Sequence, residues 1–271
     1  MNWPPSAFIP RVAAKDAIVL AMPSALSSAL SSELPSESGT HPIEAAQRCS
    51  SCALRNICLP EGLDTADYAL LESVICTSKR VQRGEALYKN GDAFSNIYVV
   101  RVGSFKTVVN HPDGREQVTR FDITGESLGL DGVYANQHSC DAIALEDSTV
   151  CIISFERLEA LCSQIKLMQR HVHRLMSGEI VRTAGQMMLL GNMRADERVA
   201  AFLLNISARM KSRGYSATEF NLRMSRAELA SYLGMKLETV SRMFSRFQKD
   251  KLINTHGRAV RILDMDGLGS V

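Results

Sequence analysis

The hydrophobic pattern of this 271-residue chain changes period near Phe155, from the two-residue alternation of strands to the three- and four-residue spacing of helices. Before that point, two β-branched and aromatic runs, Asn96–Val102 and Ser104–Val109, flank Gly103, which predicts a tight hairpin. Further strands are predicted at Gln117–Phe121 and Thr149–Ser154. Short strands separated by frequent turns predict a small barrel or roll.

Beyond Phe155, apolar residues at intervals of four and three predict a helix from about Gln164 to Leu190, roughly 40 Å long at 1.5 Å per residue. It carries two apolar stripes, the first Leu161, Ile165, Met168, Val172 and Leu175, the second Met176, Ile180, Thr183, Met187 and Leu190. A small roll offers too little surface to bury both stripes. The pattern therefore favours a homodimer seam over a core helix of a single chain.

Residues 224–244 have the pattern of a helix-turn-helix. Ser225 and Glu228 are spaced as a capping box at the start of the first helix. Gly234 stands where the turn requires a positive φ. The contacts expected between the two helices involve Leu229, Ala230, Leu233, Val240 and Phe244. Lys236 replaces the usual capping Ser or Thr of the second helix, which predicts a weaker start and a side chain within reach of a phosphate.

Glu238, Ser241 and Arg242 share one face near the beginning of the second helix, the part that a recognition helix presents to the major groove. Arginine can bond guanine, glutamate can accept from cytosine, and serine can bond a base or phosphate. A wing is predicted at Leu252–Leu263, around Gly257. Residues 193–271 hold 14 Lys and Arg against 8 Asp and Glu, whereas residues 1–192 hold 17 against 21. A basic C-terminal part favours DNA binding over a merely solvated helix surface.

Composition excludes several classes of protein. With 45% hydrophobic and 22% charged residues, the chain is predicted to be soluble and globular. No apolar run approaches the roughly 18 residues of a membrane span. Seven cysteines cannot form a closed disulfide framework, so we expect reduced thiols and a cytoplasmic location. The chain has no phosphate-cradling glycine loop and no nucleophile elbow, and we expect no enzyme activity.

Three cysteines, Cys49, Cys52 and Cys58, lie within ten residues in the spacing C-x₂-C-x₅-C. A four-cysteine metal site needs one more ligand, for which the candidates are Cys76, Cys140, Cys151 and Cys162. Zinc sites usually show two short pairs, and only one pair exists here. An iron–sulfur cluster tolerates an isolated ligand better, which favours it over zinc. Unliganded thiols are the third alternative.

Together these features resemble the Crp/Fnr superfamily of bacterial transcription regulators, specifically the FNR (Anr-type) oxygen sensors. The likeness is strongest at residues 49–58, at residues 175–180 and at residues 237–248 with their Glu-Thr-Val-Ser-Arg core. It implies an α+β fold with a cysteine-rich cluster segment (41–63), a cyclic-nucleotide-binding-like β-roll (64–160), a dimerisation helix (161–192) and a winged helix-turn-helix (193–271). Residues 1–40 hold five of the eight prolines and a Ser/Ala stretch, a composition that predicts a mobile extension.

The resemblance also implies a function. A [4Fe-4S] cluster would be held by Cys49, Cys52, Cys58 and Cys151, the last in preference to Cys140. The homodimer would bind TTGAT-type inverted repeats in double-stranded DNA and control anaerobic gene expression. Glu238, Ser241 and Arg242 would contact the bases, and Lys236 would contact a phosphate. The two subunits would pair through Leu175, Met176, Ile180, Thr183 and Met187. RNA polymerase would be contacted by surface loops near Asp147, residues 111–116, Tyr215, Ser216 and Phe220.

Two alternatives and one departure accompany this prediction. A cyclic-nucleotide sensor would need an Arg-Ser pair after Gly125–Gly129, and residues 131–142 contain none. A zinc-stabilised regulator would bind DNA constitutively, without sensing oxygen. The departure is Thr183, at a position where FNR proteins often carry an acidic residue that keeps the cluster-free form monomeric. Without that repulsion, the dimer is expected to persist after cluster loss.

Overall fold

The computed structural model describes residues 48–111 and 113–271, with the side chains of Ile75 and Cys76 excepted. The extension predicted at residues 1–40 and the first residues of the cysteine segment lie outside this part of the chain. The described portion begins with a 3₁₀ turn at Cys49–Ser51, followed by helices α1 (Arg55–Cys58) and α2 (Thr65–Val74). None of its helices is both long and apolar enough to cross a membrane.

Eight strands of the described chain form the β-roll. They are β1 (Ile75–Val81), β2 (Ala86–Tyr88), β3 (Asn96–Val102), β4 (Ser104–Asn110), β5 (Glu116–Ile123), β6 (Ser127–Leu128), β7 (Asp141–Ala144) and β8 (Ser148–Ser154). One antiparallel sheet has the order β1-β8-β3-β6 and the other β2-β7-β4-β5. Val100, Phe105 and Val150 are fully buried between them. The predicted roll and both additional strands are confirmed.

The predicted hairpin at Gly103 is wrong. Strand β3 pairs with β6 and β8, whereas β4 pairs with β5 and β7, so the two consecutive strands belong to different sheets. Gly103 has φ +97°, and a Cβ placed on it would lie 2.1 Å from Ser148 Oγ. A single residue is too short for a hairpin loop, which needs at least two. The glycine instead lets the chain turn a corner between the sheets.

The predicted long helix is confirmed as α4 (Lys166–Asn192), and a separate helix that the sequence did not predict, α3 (Phe155–Gln164), precedes it. The backbone of Ile165 is extended, with φ −113° and ψ 99°, and separates them. Leu161 therefore belongs to the first helix, and the long helix begins after the predicted boundary at residue 161. Leu161, Ile165 and Met168 are buried against α2 and Leu59 of the same chain. This part of the first stripe packs within the protomer and is not a dimer seam.

The C-terminal domain contains α5 (Ala195–Lys211), β9 (Glu219–Asn221), α6 (Arg226–Tyr232), α7 (Leu237–Lys249), β10 (Ile253–His256), β11 (Ala259–Ile262) and α8 (Met265–Gly269). Helices α6 and α7 form the predicted helix-turn-helix, and β10 and β11 the predicted wing. Strand β9, which the sequence analysis did not predict, pairs with β11 and completes a three-stranded sheet. Leu203, Leu233 and Val240 are fully buried in the core of this domain.

The C-terminal domain packs directly on the roll. The ring of Phe121 on β5 lies 6.1 Å from that of Phe202 and 5.2 Å from that of Tyr232, between centroids. Lys106 pairs with Glu228 at 2.8 Å, and the backbone N–H of Val118 donates to Ser231 Oγ at 2.9 Å. The first helix of the helix-turn-helix is thus held against a strand of the roll.

Candidate functional sites

The first helix of the helix-turn-helix begins as the sequence predicts. Ser225 Oγ accepts a hydrogen bond from the backbone N–H of Glu228 at 3.1 Å, and the Glu228 carboxylate accepts one from the Ser225 N–H at 2.7 Å. This reciprocal pair confirms the capping box. Gly234 then turns the chain with φ +62°, as predicted. The angle between the helices is stabilised by Arg226, whose guanidinium lies 3.3 Å from the centre of the Phe244 ring.

An arginine that the sequence analysis missed anchors this turn to the rest of the chain. Arg198 on α5 donates to the carbonyl oxygens of Leu233 at 3.0 Å, Leu190 at 2.8 Å and Met193 at 2.9 Å. It therefore joins the end of the long helix, the start of α5 and the end of α6. Its partners are backbone carbonyls, one of them 35 residues away, and no sequence motif marks them.

The predicted DNA-reading side chains lie on the free surface of α7. Glu238, Ser241 and Arg242 are all exposed, and Arg242 makes one hydrogen bond, to Thr239 Oγ1 at 3.3 Å. Lys236 is the residue before the helix and makes no capping hydrogen bond, as predicted. The protein thus presents two cations, a carboxylate and a hydroxyl at the start of one exposed helix.

The structure brings together the thiols of Cys49, Cys52, Cys58 and Cys151. Cys151 lies on β8, opposite Val99 of β3 and Ser78 of β1. Burial, and then the nearby Cys151 and Cys52, raise the pKa of the Cys49 thiol to about 11. Burial, and then the other three thiols, raise that of Cys58 to about 12. These mutual effects place all four sulfur atoms in one electrostatic neighbourhood.

Two arginines face these thiols from distant elements. Arg101 on β3 opposes the burial that raises the pKa values of Cys49 and Cys151, and Arg213 just beyond α5 does so for Cys58. The pKa of the Cys140 thiol is raised by burial and then by Asp131, and that of Cys162 by burial and then by Glu159. These two thiols thus lie in different surroundings, as expected of packing residues.

The donor set of four cysteine thiols fits an iron–sulfur cluster. In the described part of the chain, no three His, Cys, Asp or Glu side chains lie close enough together to hold one metal ion. A zinc site requires four donors around a single ion. A [4Fe-4S] cluster takes one thiolate on each of four irons, so its ligands stand farther apart. The four thiols, three from one segment and one from β8, supply the number of thiolates that such a cluster takes.

Comparison with known proteins identifies the family. The profile of the cyclic nucleotide-binding domain matches residues 78–165, and that of the Crp-like helix-turn-helix domain matches residues 197–271. The chain is 44% identical to the transcriptional regulatory protein Btr of Bordetella pertussis, over 82% of this chain and 92% of Btr. The chain belongs to the Crp/Fnr family of transcription regulators. Members of this family bind DNA and are not enzymes.

Other relatives agree with this assignment. This Crp/Fnr regulator is 43% identical to the transcriptional activator Anr of Pseudomonas aeruginosa, over 80% of its own length and 88% of Anr. Among solved structures, FixK2 from Bradyrhizobium japonicum superposes with a TM-score of 0.67 at 28% identity, covering 72% of this chain and 96% of FixK2. The α+β architecture of roll, long helix and helix-turn-helix is therefore that of the family.

The roll of this Crp/Fnr regulator contains two carboxylates, Glu126 and Asp131, that have partners within the protein. Glu126 forms ion pairs with Arg209 and Arg213. Asp131 accepts from the Tyr88 hydroxyl at 3.3 Å and from the Ser139 N–H at 2.8 Å, beneath a stack of Tyr88 on His138. No arginine follows in residues 131–142 to pair with a phosphate.

The long helix of the regulator presents an apolar stripe to solvent. Ile180 is 71% and Met187 70% exposed, and Thr183 between them is also exposed. Leu175 and Met176, one turn earlier, are half-buried. An exposed stripe of large apolar side chains marks a surface for another molecule.

The residues predicted to meet RNA polymerase differ in exposure. Tyr215 is 58% exposed, and Asp147 accepts from the Arg83 N–H at 2.9 Å in an exposed loop. Ser216 accepts from the Glu219 N–H at 3.0 Å. Phe220 is 9% exposed, because it lies in β9 with its side chain in the core. Phe220 therefore offers little surface to a partner, and the polymerase contact stays a prediction.

Proposed function

We propose that this regulator senses oxygen through a [4Fe-4S] cluster on Cys49, Cys52, Cys58 and Cys151. As a homodimer it binds TTGAT-type inverted repeats and controls anaerobic gene expression. The observation that carries the proposal is the neighbourhood shared by three thiols of the N-terminal segment and one thiol of the roll. Relatives with 36–37% identity, named an anaerobic regulatory protein in Haemophilus influenzae and a fumarate and nitrate reduction regulatory protein in Vibrio cholerae, support it.

Side chains around the four thiols offset their charge and fix the segment that carries three of them. When bound, the cluster supplies an oxygen-labile link between the N-terminal segment and the roll. Arg101 and Arg213 offset the negative charge of the thiolates. Glu72 of α2 accepts from the N–H of Ser50 at 3.0 Å and from its hydroxyl at 2.7 Å, which fixes the turn that carries Cys49. His171 of α4 donates from Nε2 to the carbonyl oxygen of Cys58 at 3.0 Å. This bond joins the thiol segment, residues 49–58, to the long helix.

DNA binding is proposed to require pairing of two long helices along the stripe of Met176, Ile180, Thr183 and Met187. Pairing would hold the two copies of α7 about 34 Å apart, one turn of DNA, so that Glu238, Ser241 and Arg242 enter successive major grooves. RNA polymerase is proposed as a further partner, through Asp147, Tyr215 and Ser216.

Anaerobic purification tests the proposal. We expect four irons and four acid-labile sulfides per chain, and tight binding to an inverted-repeat operator that weakens when air destroys the cluster. Metal and sulfide analysis with operator titration before and after air exposure measures both. Colourless protein that contains zinc without iron and binds its operator equally well in air would support the constitutive alternative and contradict oxygen sensing.

A further inference from the structure

The thiol segment lies directly on the turn of the roll that holds the C-terminal domain. Ile57, which precedes the ligand Cys58, packs against Gly125. A Cβ placed on that glycine would lie 2.7 Å from Ile57 Cγ2. Gly125 also has φ +88°, and its N–H donates to the Val100 carbonyl at 2.7 Å. Only a residue without a side chain allows this backbone shape and this approach together.

The same turn is held by two arginines of the C-terminal domain. Arg213 donates to the Thr124 carbonyl at 2.6 Å and to the Glu126 carboxylate at 2.7 Å. Arg209 donates to the Phe121 carbonyl at 2.6 Å and to Glu126 at 3.0 Å. Arg213 is 7% and Glu126 10% exposed at the side chain, so their ion pair is shielded from water.

We infer that Ile57 and the turn of residues 124–126 position the DNA-binding domain in response to the state of the thiol segment. The inference rests on the proposed function, since it assigns the route from cluster to DNA reader. With the cluster in place, the segment holds Ile57 on Gly125, and the turn keeps Glu126 and the Thr124 carbonyl aligned on the arginines. Once the segment is released, the turn loses this support and the DNA-binding domain loosens from the roll.

This route is separate from pairing of the long helices. It passes from the thiol segment through the roll to α5 and Arg213, and includes no residue of the exposed stripe on α4. Changes at Ile57 should consequently alter how firmly the DNA-binding domain is held while leaving the oligomeric state unchanged. This difference separates the inferred route from control by dimerisation.

Hydrogen exchange of the full-length protein tests the inference. The amides of Ile123, Gly125 and Glu126 are all hydrogen-bonded within the turn or to β3. In the wild type, we expect them to exchange on the order of tenfold faster after air exposure, because local opening of the turn becomes easier. Ile57→Ala should show that faster exchange with the cluster still bound, and its operator affinity should approach that of air-exposed protein while sedimentation reports the same oligomer.

Matched variants keep the test decisive. Gly125→Ala should act as Ile57→Ala does, and Glu126→Gln should loosen the domain without touching the thiol segment. Gly91→Ala is the control, because Gly91 has the same φ of +88° but open space around it. This variant therefore reports only the free-energy cost of a side chain at positive φ, without a steric clash. If Ile57→Ala fails to retain iron, the same exchange and operator-affinity measurements on Gly125→Ala and Glu126→Gln test the inference.

The inference is overturned if the turn exchanges equally in cluster-loaded and air-exposed wild type, or if all three variants match Gly91→Ala. Failure of the proposed function would look different. The wild type would then contain no iron, and Ile57→Ala would still report, by exchange alone, whether the contact on Gly125 supports the domain.

Discussion

Cys151 contributes to the thiol site from a strand, whereas its three companions come from one short segment. Replacing it by alanine removes one of the four proposed ligands, and we expect the protein to retain less than a full four-iron cluster after anaerobic reconstitution. Iron and sulfide analysis with visible spectroscopy measures this. Cys162→Ala is the matched control, since Cys162 is also half-buried but lies on α3 near Glu159. A complete cluster in Cys151→Ala would remove this residue from the ligand set.

Arg242 and Lys236 are both exposed at the start of α7, but they are expected to contribute differently to DNA binding. Arg242→Ala should cost about 1–3 kcal/mol of operator affinity and relax specificity at one base pair, as expected for a base contact. Lys236→Ala should weaken binding to all sequences alike and lower the salt dependence, as expected for a phosphate contact. Titrations with operator and random duplexes at several salt concentrations separate the two. An equal loss for Arg242→Ala on random DNA would make it a phosphate contact.

At the scale of single residues, the sequence predicts interactions between residues that are only a few positions apart. The capping box of Ser225 and Glu228 and the turn at Gly234 were predictable because spacing alone determines them. The proximity of Cys151 to the other thiols came from the family resemblance, since residue spacing left four candidates. Arg101 and Arg213 could not be predicted, because only the packing of β3 and α5 brings their charges to the thiols.

Among the elements, the existence of strands was easier to predict than their pairing. Both strands beside Gly103 were identified, but their alternation does not specify which sheet each joins. The burial of Leu161, Ile165 and Met168 was misjudged for a similar reason. Helical spacing defines an apolar face without saying whether it is covered by the same chain or by another.

The exposed stripe of α4 gives a prediction for this element. Ile180→Asp would place a charge in the centre of the proposed seam, where burying an unpaired carboxylate is costly. We expect cluster-loaded protein to become monomeric and to lose operator affinity, with its fold and iron content retained. Sedimentation and metal analysis measure this. Tyr134→Asp, a similar change at a side chain 98% exposed on the roll, should leave the dimer intact. A dimeric Ile180→Asp protein would contradict the assignment of the seam.

For the whole molecule, the ion pairs of Glu126 link pH to the attachment of the C-terminal domain. Burial opposes ionisation of Glu126, but Arg209 and Arg213 outweigh it and hold its pKa below the usual value. The stabilisation is therefore complete above the unfolded pKa of about 4.3 and is lost as pH falls through the lower folded pKa.

Glu126→Gln should consequently lower the free energy of unfolding by about 3 kcal/mol at neutral pH, since it leaves two arginines without their buried partner. The difference from wild type should shrink in acid. Urea unfolding at pH 7 and pH 3 measures it, with Glu116→Gln, an exposed carboxylate at the start of β5, as control. A difference that stays constant across this range would show that the ion pairs do not stabilise the attachment.

Thr183 leads to a prediction about the oligomeric state after loss of the proposed cluster. Its side chain is exposed on α4, and its hydroxyl donates to the Glu179 carbonyl of the same helix at 2.9 Å, so it brings no charge to the seam. Two copies of α4 would therefore meet without like-charge repulsion, and we expect air-exposed wild type to remain dimeric. Thr183→Asp should introduce that repulsion and give a monomer in air. Sedimentation before and after air exposure tests both, and Thr183→Asn supplies a neutral control of equal size. If the wild type dissociates in air, cluster loss must weaken the seam by itself, and the control of DNA binding would then pass through the long helix instead of the turn beneath Ile57.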